Sequence, residues 1–256
     1  MSVGTAIRNP RAFVAGKWTV FKLILTDPER FYDELSASDR LWTEIAVLFV
    51  IGLTGVAGGY FVARELMSNI GTGTATVANG DVAVRVSGDT GLQIWGYGLR
   101  SLIGIFVLWV GFATVLYALS WLYSSRGSFF AMVKATAWAL VPLFIGNLLK
   151  SIGFVIAAWN AWDSNKIQIT EEVSRQLDFG GQEAARALYT QIYEEPVALV
   201  GIVIAGLTFA WCGYVAAYGV AKVRDIPVSD AYKVVAVPTA LYVGYVIYQA
   251  ITFVGI

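Results

Sequence analysis

Histidine is absent from all 256 residues, and cysteine occurs once, as Cys212. The first absence removes the commonest general base, the commonest zinc ligand and the usual proton relay together. The second excludes an internal disulfide and any thiolate metal cluster, and a lone cysteine inside an apolar run does not report the redox state of its compartment. Charge is scarce: Asp, Glu, Lys and Arg make up 14% of the chain, 18 of each sign, for a net charge of +0. Without a clustered basic face, nucleic acid is not a partner. Asn-x-Ser/Thr acceptor sites are missing too, so nothing marks a glycosylated lumenal domain. No catalytic residue, metal ligand or cofactor is therefore expected.

What remains is apolar. Hydrophobic residues make up 57% of the chain and mean hydropathy is +0.64, outside the usual range of a soluble domain. Five runs reach the ~20 residues a helix needs to cross a ~30 Å hydrocarbon core: 42–63, 101–123, 135–159, 196–220 and 234–256. The expected fold is an all-α integral membrane protein, a five-span transmembrane helix bundle, with an amino-terminal arm at 1–41 and a membrane domain at 42–256. Trp42, Trp95, Tyr97, Trp121, Tyr123, Trp159, Trp162 and Tyr193 fall near the expected span ends, as interfacial aromatic belts do. Gly55 and Gly59 in the first run form a small-xxx-small pair for close helix packing, within the chain or in a homo-oligomer. Pro142 and Pro238 would each free a backbone carbonyl and permit a kink.

The arm does not read as a targeting peptide, because its apolar stretch, 18–25, is short, is interrupted by Lys22 and lacks a small-residue cleavage pattern. Arg8, Arg11, Lys17 and Lys22 interleave with Phe13, Trp18, Phe21, Leu23, Ile24 and Leu25, which suits an interfacial amphipathic helix on an anionic headgroup surface. Asp27 and Pro28 read as the N-cap and first residue of a second short helix, from Glu29 to Leu35. Eleven of the 18 Lys and Arg lie in the arm and the two short connections, 124–134 and 221–233, against seven in the stretches from Arg64 to Arg100 and from Lys150 to Glu195. The positive-inside rule then places the amino terminus in the cytoplasm, and five spans place the carboxyl end outside. Within the first long connection, 74–77 and 82–86 flank Asn79-Gly80, the signature of a small extracytoplasmic β-hairpin with a type I′ turn. In the second, 163–195, the spacing of Ile169, Val173 and Leu177, and of Ala184, Leu188 and Ile192, predicts two short amphipathic helices.

Asn147, Lys150 and Ser151 stand at i, i+3 and i+4, sharing a face of the third run with Gly146 and Gly153. A lysine inside a span is a functional candidate by default. Near the helix centre it costs roughly 3 kcal/mol, while the strongly apolar residues of 140–156 return roughly 3 to 7, so the helix inserts whether or not Lys150 has a function. Two readings stand. Pro142, Asn147 and Lys150 line a polar cavity for an anion, making the protein a small-solute transporter or channel. Alternatively, the span begins near Phe129 and Lys150 snorkels to the surface. A catalytic Ser-Lys dyad is not among them, since adjacent residues point about 100° apart on a helix.

Residues 126–142 read Arg-Gly-Ser-Phe-Phe-Ala-Met-Val-Lys-Ala-Thr-Ala-Trp-Ala-Leu-Val-Pro, a glycine and serine followed by a helix carrying Ala-Trp-Ala and a proline. Asp27-Pro28-Glu29-Arg30-Phe31-Tyr32 precedes the first run, and Arg224-Asp225-Ile226-Pro227-Val228-Ser229-Asp230-Ala231 the last, which bears Pro238. In this order the segments resemble the membrane domain of the Ypt-interacting-protein (Yip) family, over roughly residues 25–256. The matching residues are Pro28, Phe31, Gly127, Ser128, Pro142, Ser229 and Ala231, as architecture rather than a catalytic set. The resemblance implies a non-enzymatic multi-pass membrane scaffold acting in membrane organisation, vesicle formation or trafficking, through membrane shaping or partner recruitment. Eukaryotic members bind prenylated Rab-type GTPases. The arm here is short and lacks their long acidic, Pro- and Tyr-bearing cytosolic region, so a prokaryotic member in the plasma membrane is expected. Its candidate partners are the lipid bilayer, a small GTPase or another membrane-remodelling protein, and a second copy of itself.

Overall fold

A computed structural model describes residues 10–35, 41–70, 74–79, 82–86, 88–163, 167–170, 192 and 195–254. Eight helices and three strands are present among them: α1 (Pro10–Thr26), α2 (Pro28–Glu34), α3 (Trp42–Ile70), β1 (Thr74–Asn79), β2 (Val82–Val86), α4 (Gly88–Ser120), α5 (Phe129–Ala139), α6 (Pro142–Asp163), β3 (Ile167–Thr170), α7 (Pro196–Arg224) and α8 (Val228–Val254). They divide into two compact units. One comprises Met1–Leu48, Leu108–Pro142 and Ala210–Ala240; the other comprises Phe49–Val107, Leu143–Phe209 and Leu241–Ile256.

Among the described residues, four helices are long and apolar enough to cross a membrane, through Leu102–Ser120 of α4, Pro142–Asn160 of α6, Pro196–Arg224 of α7 and Val228–Tyr248 of α8. Only 17% to 39% of each apolar window is buried. Val107, Val203, Leu207 and Leu241 are among the side chains left exposed, a surface that hydrocarbon tolerates and water does not. Among the described residues, four of the five expected spans thus meet this measure. Although α3 is 29 residues long, its apolar described portion, Trp42–Ala57, is shorter than a span, and the sequence beyond it runs on to Arg64 and Glu65.

The third expected span, 135–159, is two helices. Leu140 and Val141 form a turn after α5, and Pro142 opens α6. Proline lacks the N–H that an interior position donates, and its fixed φ suits the first helical position, where no intrahelical partner is needed. Pro142 therefore starts a helix instead of kinking one. Pro238 does lie inside α8, where it withholds a hydrogen bond from the carbonyl of Val234. The last helix begins at Val228 and not at 234, because the carbonyl of Pro227 accepts the N–H groups of Asp230 and Ala231 at 3.0 and 3.1 Å.

In the arm, α1 covers the expected interfacial segment. Asp27 caps α2 as its spacing predicts, its carboxylate accepting the Arg30 N–H at 3.2 Å with Pro28 at the first position. The lone hairpin is corrected to a three-stranded antiparallel sheet of order β2-β1-β3. Asn79 faces Val82 across the first pair, and Gly80 lies outside the described residues. Ile169 belongs to β3 and not to a helix: Ile-Gln-Ile-Thr alternates with period two, and the strand pairs with β1 from Thr74↔Thr170 to Val77↔Ile167. Val173, Leu177, Ala184 and Leu188 lie outside the described residues; Ile192 is buried.

Candidate functional site

The seven residues singled out by sequence all lie in the unit that contains α2, α5 and the junction between α7 and α8. Gly127 has φ +78°, and a Cβ there would overlap the carbonyl oxygen of Val223, so only glycine fits without strain. Ser128 then caps α5, its Oγ accepting the Ala131 N–H at 3.1 Å. Pro28 is buried at the first position of α2. Phe31, also buried, meets Trp138 edge-on with ring centroids 5.4 Å apart. Ala231 is fully buried in the first turn of α8, whereas Ser229 is exposed. Pro142 ends the series at the start of α6.

Tyr32 fixes α2 to α5 more tightly than the motif residue beside it. Its hydroxyl donates to the carbonyl of Ala135 at 2.8 Å, and a Cβ on Gly219 would come within 2.9 Å of its ring. Burial pushes its phenol far above the ordinary tyrosine range. Two tryptophans add to the anchorage of α5. Trp109 Nε1 donates to the carbonyl of Val133 at 2.7 Å, and Trp138 Nε1 donates to buried Glu44 at 3.2 Å.

Arg224 is the largest wholly buried side chain among the described residues. It donates from Nε to Ser120 Oγ at 2.7 Å, from Nη1 to the carbonyl of Arg126 at 2.7 Å, and from Nη2 to the carbonyl of Tyr117 at 2.6 Å. The planar fork thus ties the end of α7 to the last turn of α4 and to the connection before α5. Next to it, Asp225 takes φ +54°, and Ile226 N–H reaches back to the carbonyl of Ala221 at 3.2 Å, a Schellman ending. Two exposed ion pairs, Arg126 with Asp225 and Lys222 with Asp33, border this junction. A cleft opens beside them, lined by Glu29, Tyr32, Asp33, Tyr218, Lys222 and Asp225 among others.

Sequence spacing missed Arg224, because it sits two residues from Lys222 and looks equivalent to it. Two positions are roughly 200° apart on a helix, enough to bury one cation and expose the other. The clue was its position in the last turn of an apolar helix, where a cation can reach unpaired carbonyls.

The polar trio of the third run is not brought to one point. Asn147 donates to the carbonyl of Ile51 at 3.2 Å and Ser151 to that of Thr54 at 2.9 Å, so both join α6 to α3. Lys150 is exposed. Gly146 and Gly153 face α7, at Thr208 and Val197 respectively, and Gly201 of α7 faces the backbone of Lys150. In α3 the close approach falls at Gly52, where a Cβ would lie 2.6 Å from Leu102. Gly55 is half-buried, and the surroundings of Gly59 lie outside the described side chains.

Long apolar helices with outward-facing aliphatic side chains define an integral membrane protein of the helical class. The chain belongs to the Yip1 domain family, whose family model matches residues 22–251. No curated protein and no solved structure matches it.

Proposed function

We propose that the protein is a non-catalytic membrane scaffold of the Yip type, engaging the headgroup surface with its amino-terminal arm and acting in membrane organisation, vesicle formation or trafficking. The observation that carries this reading is the surface of α1. Trp18 is 65% exposed and stacks on Phe21 at 5.6 Å, Lys22 is exposed beside them, and Ile24 is buried. Such a helix presents aromatic and basic groups together to an anionic interface, where each cation contributes about 1 kcal/mol. Phe31 and Tyr32 couple the arm to α5, so whatever the arm engages is connected to the membrane helices.

In this proposal α3 serves as a fifth span, the arm and the 124–134 and 221–233 connections face the cytoplasm, and the bilayer is a plasma membrane. A small GTPase, another membrane-remodelling protein or a second copy is the recruited partner. Transport is not proposed, because Asn147 and Ser151 give their hydrogen bonds to the backbone of α3 and so do not join Lys150 in a shared polar site. Cross-linking with mass spectrometry in native membranes tests recruitment. Reproducible cross-links from the arm to one such partner support it; an arm that cross-links only to lipid-facing residues of its own chain leaves membrane shaping as the sole activity.

A further inference from the structure

The cleft between α2, the end of α7 and the start of α8 has no part in the proposed scaffold role. It carries three carboxylates, Glu29, Asp33 and Asp225, against one ammonium, Lys222. Asp33 is paired with Lys222 at 2.5 Å and Asp225 with Arg126. Glu29 has no ion-pair partner among the described residues. Tyr218 lines the same cleft. Its ring packs against Tyr214 and Tyr232 with centroids 5.4 and 6.2 Å away, and those two lie 6.3 Å apart.

A carboxylate with no ion-pair partner among the described residues, beside tyrosine rings, attracts an ammonium group, which the ring quadrupole and the negative charge both favour. Lys222 and Asp33 are each more than half exposed, so their pairing is weak and the lysine is free to exchange its partner for another anion. A ligand bearing an ammonium and a phosphate a few bonds apart satisfies both ends of the cleft. The position selects the source of that chemistry. α7 ends at Arg224 and α8 begins at Val228, both as apolar helices of membrane-crossing length, so the cleft opens at headgroup depth. Tyr214 and Tyr232 are exposed on the flank of these helices, where interfacial tyrosines belong.

We propose that this cleft binds the headgroup of a zwitterionic phospholipid, with the ammonium at Glu29 and Tyr218 and the phosphate at Lys222. A basic peptide also carries ammonium groups, but it meets Lys222 as a like charge and supplies no anion for it. The site stands or falls independently of whether the protein deforms membranes.

The test is native mass spectrometry of the full chain in detergent, titrated separately with phosphatidylethanolamine and with phosphatidylglycerol of the same acyl chains. Phosphatidylethanolamine should be retained about tenfold more tightly, with Glu29→Gln and Tyr218→Leu each removing most of that preference. Lys222→Gln should weaken both lipids, because both carry the phosphate. Glu29 is exposed, so Glu29→Gln should keep the parent melting temperature and its lipid result is readable. Equal retention of the two lipids, or an unchanged preference in Glu29→Gln, overturns the proposal. So does Glu29-dependent binding of an oligolysine peptide in the absence of any phosphatidylethanolamine preference, which would assign the cleft to a protein partner.

Discussion

The guanidinium of Arg224 lies 4.1 Å from the centre of the Tyr117 ring and donates a 2.6 Å hydrogen bond to the carbonyl of the same residue. One side chain of α7 thus serves as both the cap and the lid of the last turn of α4. Hydrogen bonds from a charged donor contribute about 1.5–3 kcal/mol each, and a buried carbonyl stripped of its partner costs about as much as the bond itself. A buried arginine held by neutral oxygens and a ring is a latch between helix ends, at the point where the family motif sits.

Arg224→Met should therefore lower stability by about 3 kcal/mol or more, since three hydrogen bonds from a charged donor are lost and the carbonyl of Arg126 loses its donor, while that of Tyr117 keeps only the Ser120 hydroxyl at 2.9 Å. Arg224→Lys should recover only part of it, because a point-like ammonium cannot span three acceptors in a plane. Thermal aggregation of purified protein in detergent reads the effect. Melting unchanged in both variants would show that the latch carries no stability.

Tyr32→Phe tests the anchor of the arm, with a pH signature. At neutral pH it should cost about 1 kcal/mol through the lost bond to Ala135. The buried phenol has its pKa raised from the ordinary 10.0. As pH rises past that value the unfolded chain loses this proton while the folded chain keeps it, so the parent protein loses stability with increasing pH. Tyr32→Phe should decline less steeply above pH 10, measured by chemical denaturation across the alkaline range. Parallel curves for the two proteins would contradict the burial argument.

In the other unit, Asn147→Leu should destabilise by about 1 kcal/mol, the scale of an interhelical hydrogen bond in a membrane protein. Lys150→Met should stay within about 0.5 kcal/mol of the parent, as an exposed position does. The reverse ranking in a melting assay would return Lys150 to a packed polar site.

These contrasts show which parts of the fold the sequence carried. Asp27-Pro28 and Ser128 act through contacts within one turn, so spacing alone exposed them. Pro142 was visible but misassigned, because a proline at a helix start and a proline at a kink share one signature until the flanking turn is known. β3 was hidden for a different reason: four residues of period two, Ile167–Thr170, sit inside a window that also satisfies a helical spacing, and only pairing with β1 decides between them. Arg224 and Gly52 depend wholly on what another helix places opposite them. Periodicity names a face, but not its partner.

Orientation is open to a direct chemical check. In a Cys212→Ala background, cysteines at Ser36, Ser125 and Ser229 should resist an impermeant maleimide in intact cells, and cysteines at Ser87 and Ser174 should react. Labelling at Ser125 with protection at Ser87 would invert the proposed topology.

The central claim, a scaffold that shapes membranes through its arm, is tested most directly by vesicle shape. Liposomes containing anionic lipid are reconstituted with the full chain, or with a chain lacking residues 1–25, and imaged by electron cryomicroscopy while solute flux is followed in the same preparations. The full chain should narrow or tubulate the vesicles, the deletion should remove that effect with the membrane helices still folded, and neither should conduct solute. Vesicles left unchanged by the full chain, or ion flux that survives the deletion and disappears in Lys150→Met, would contradict it.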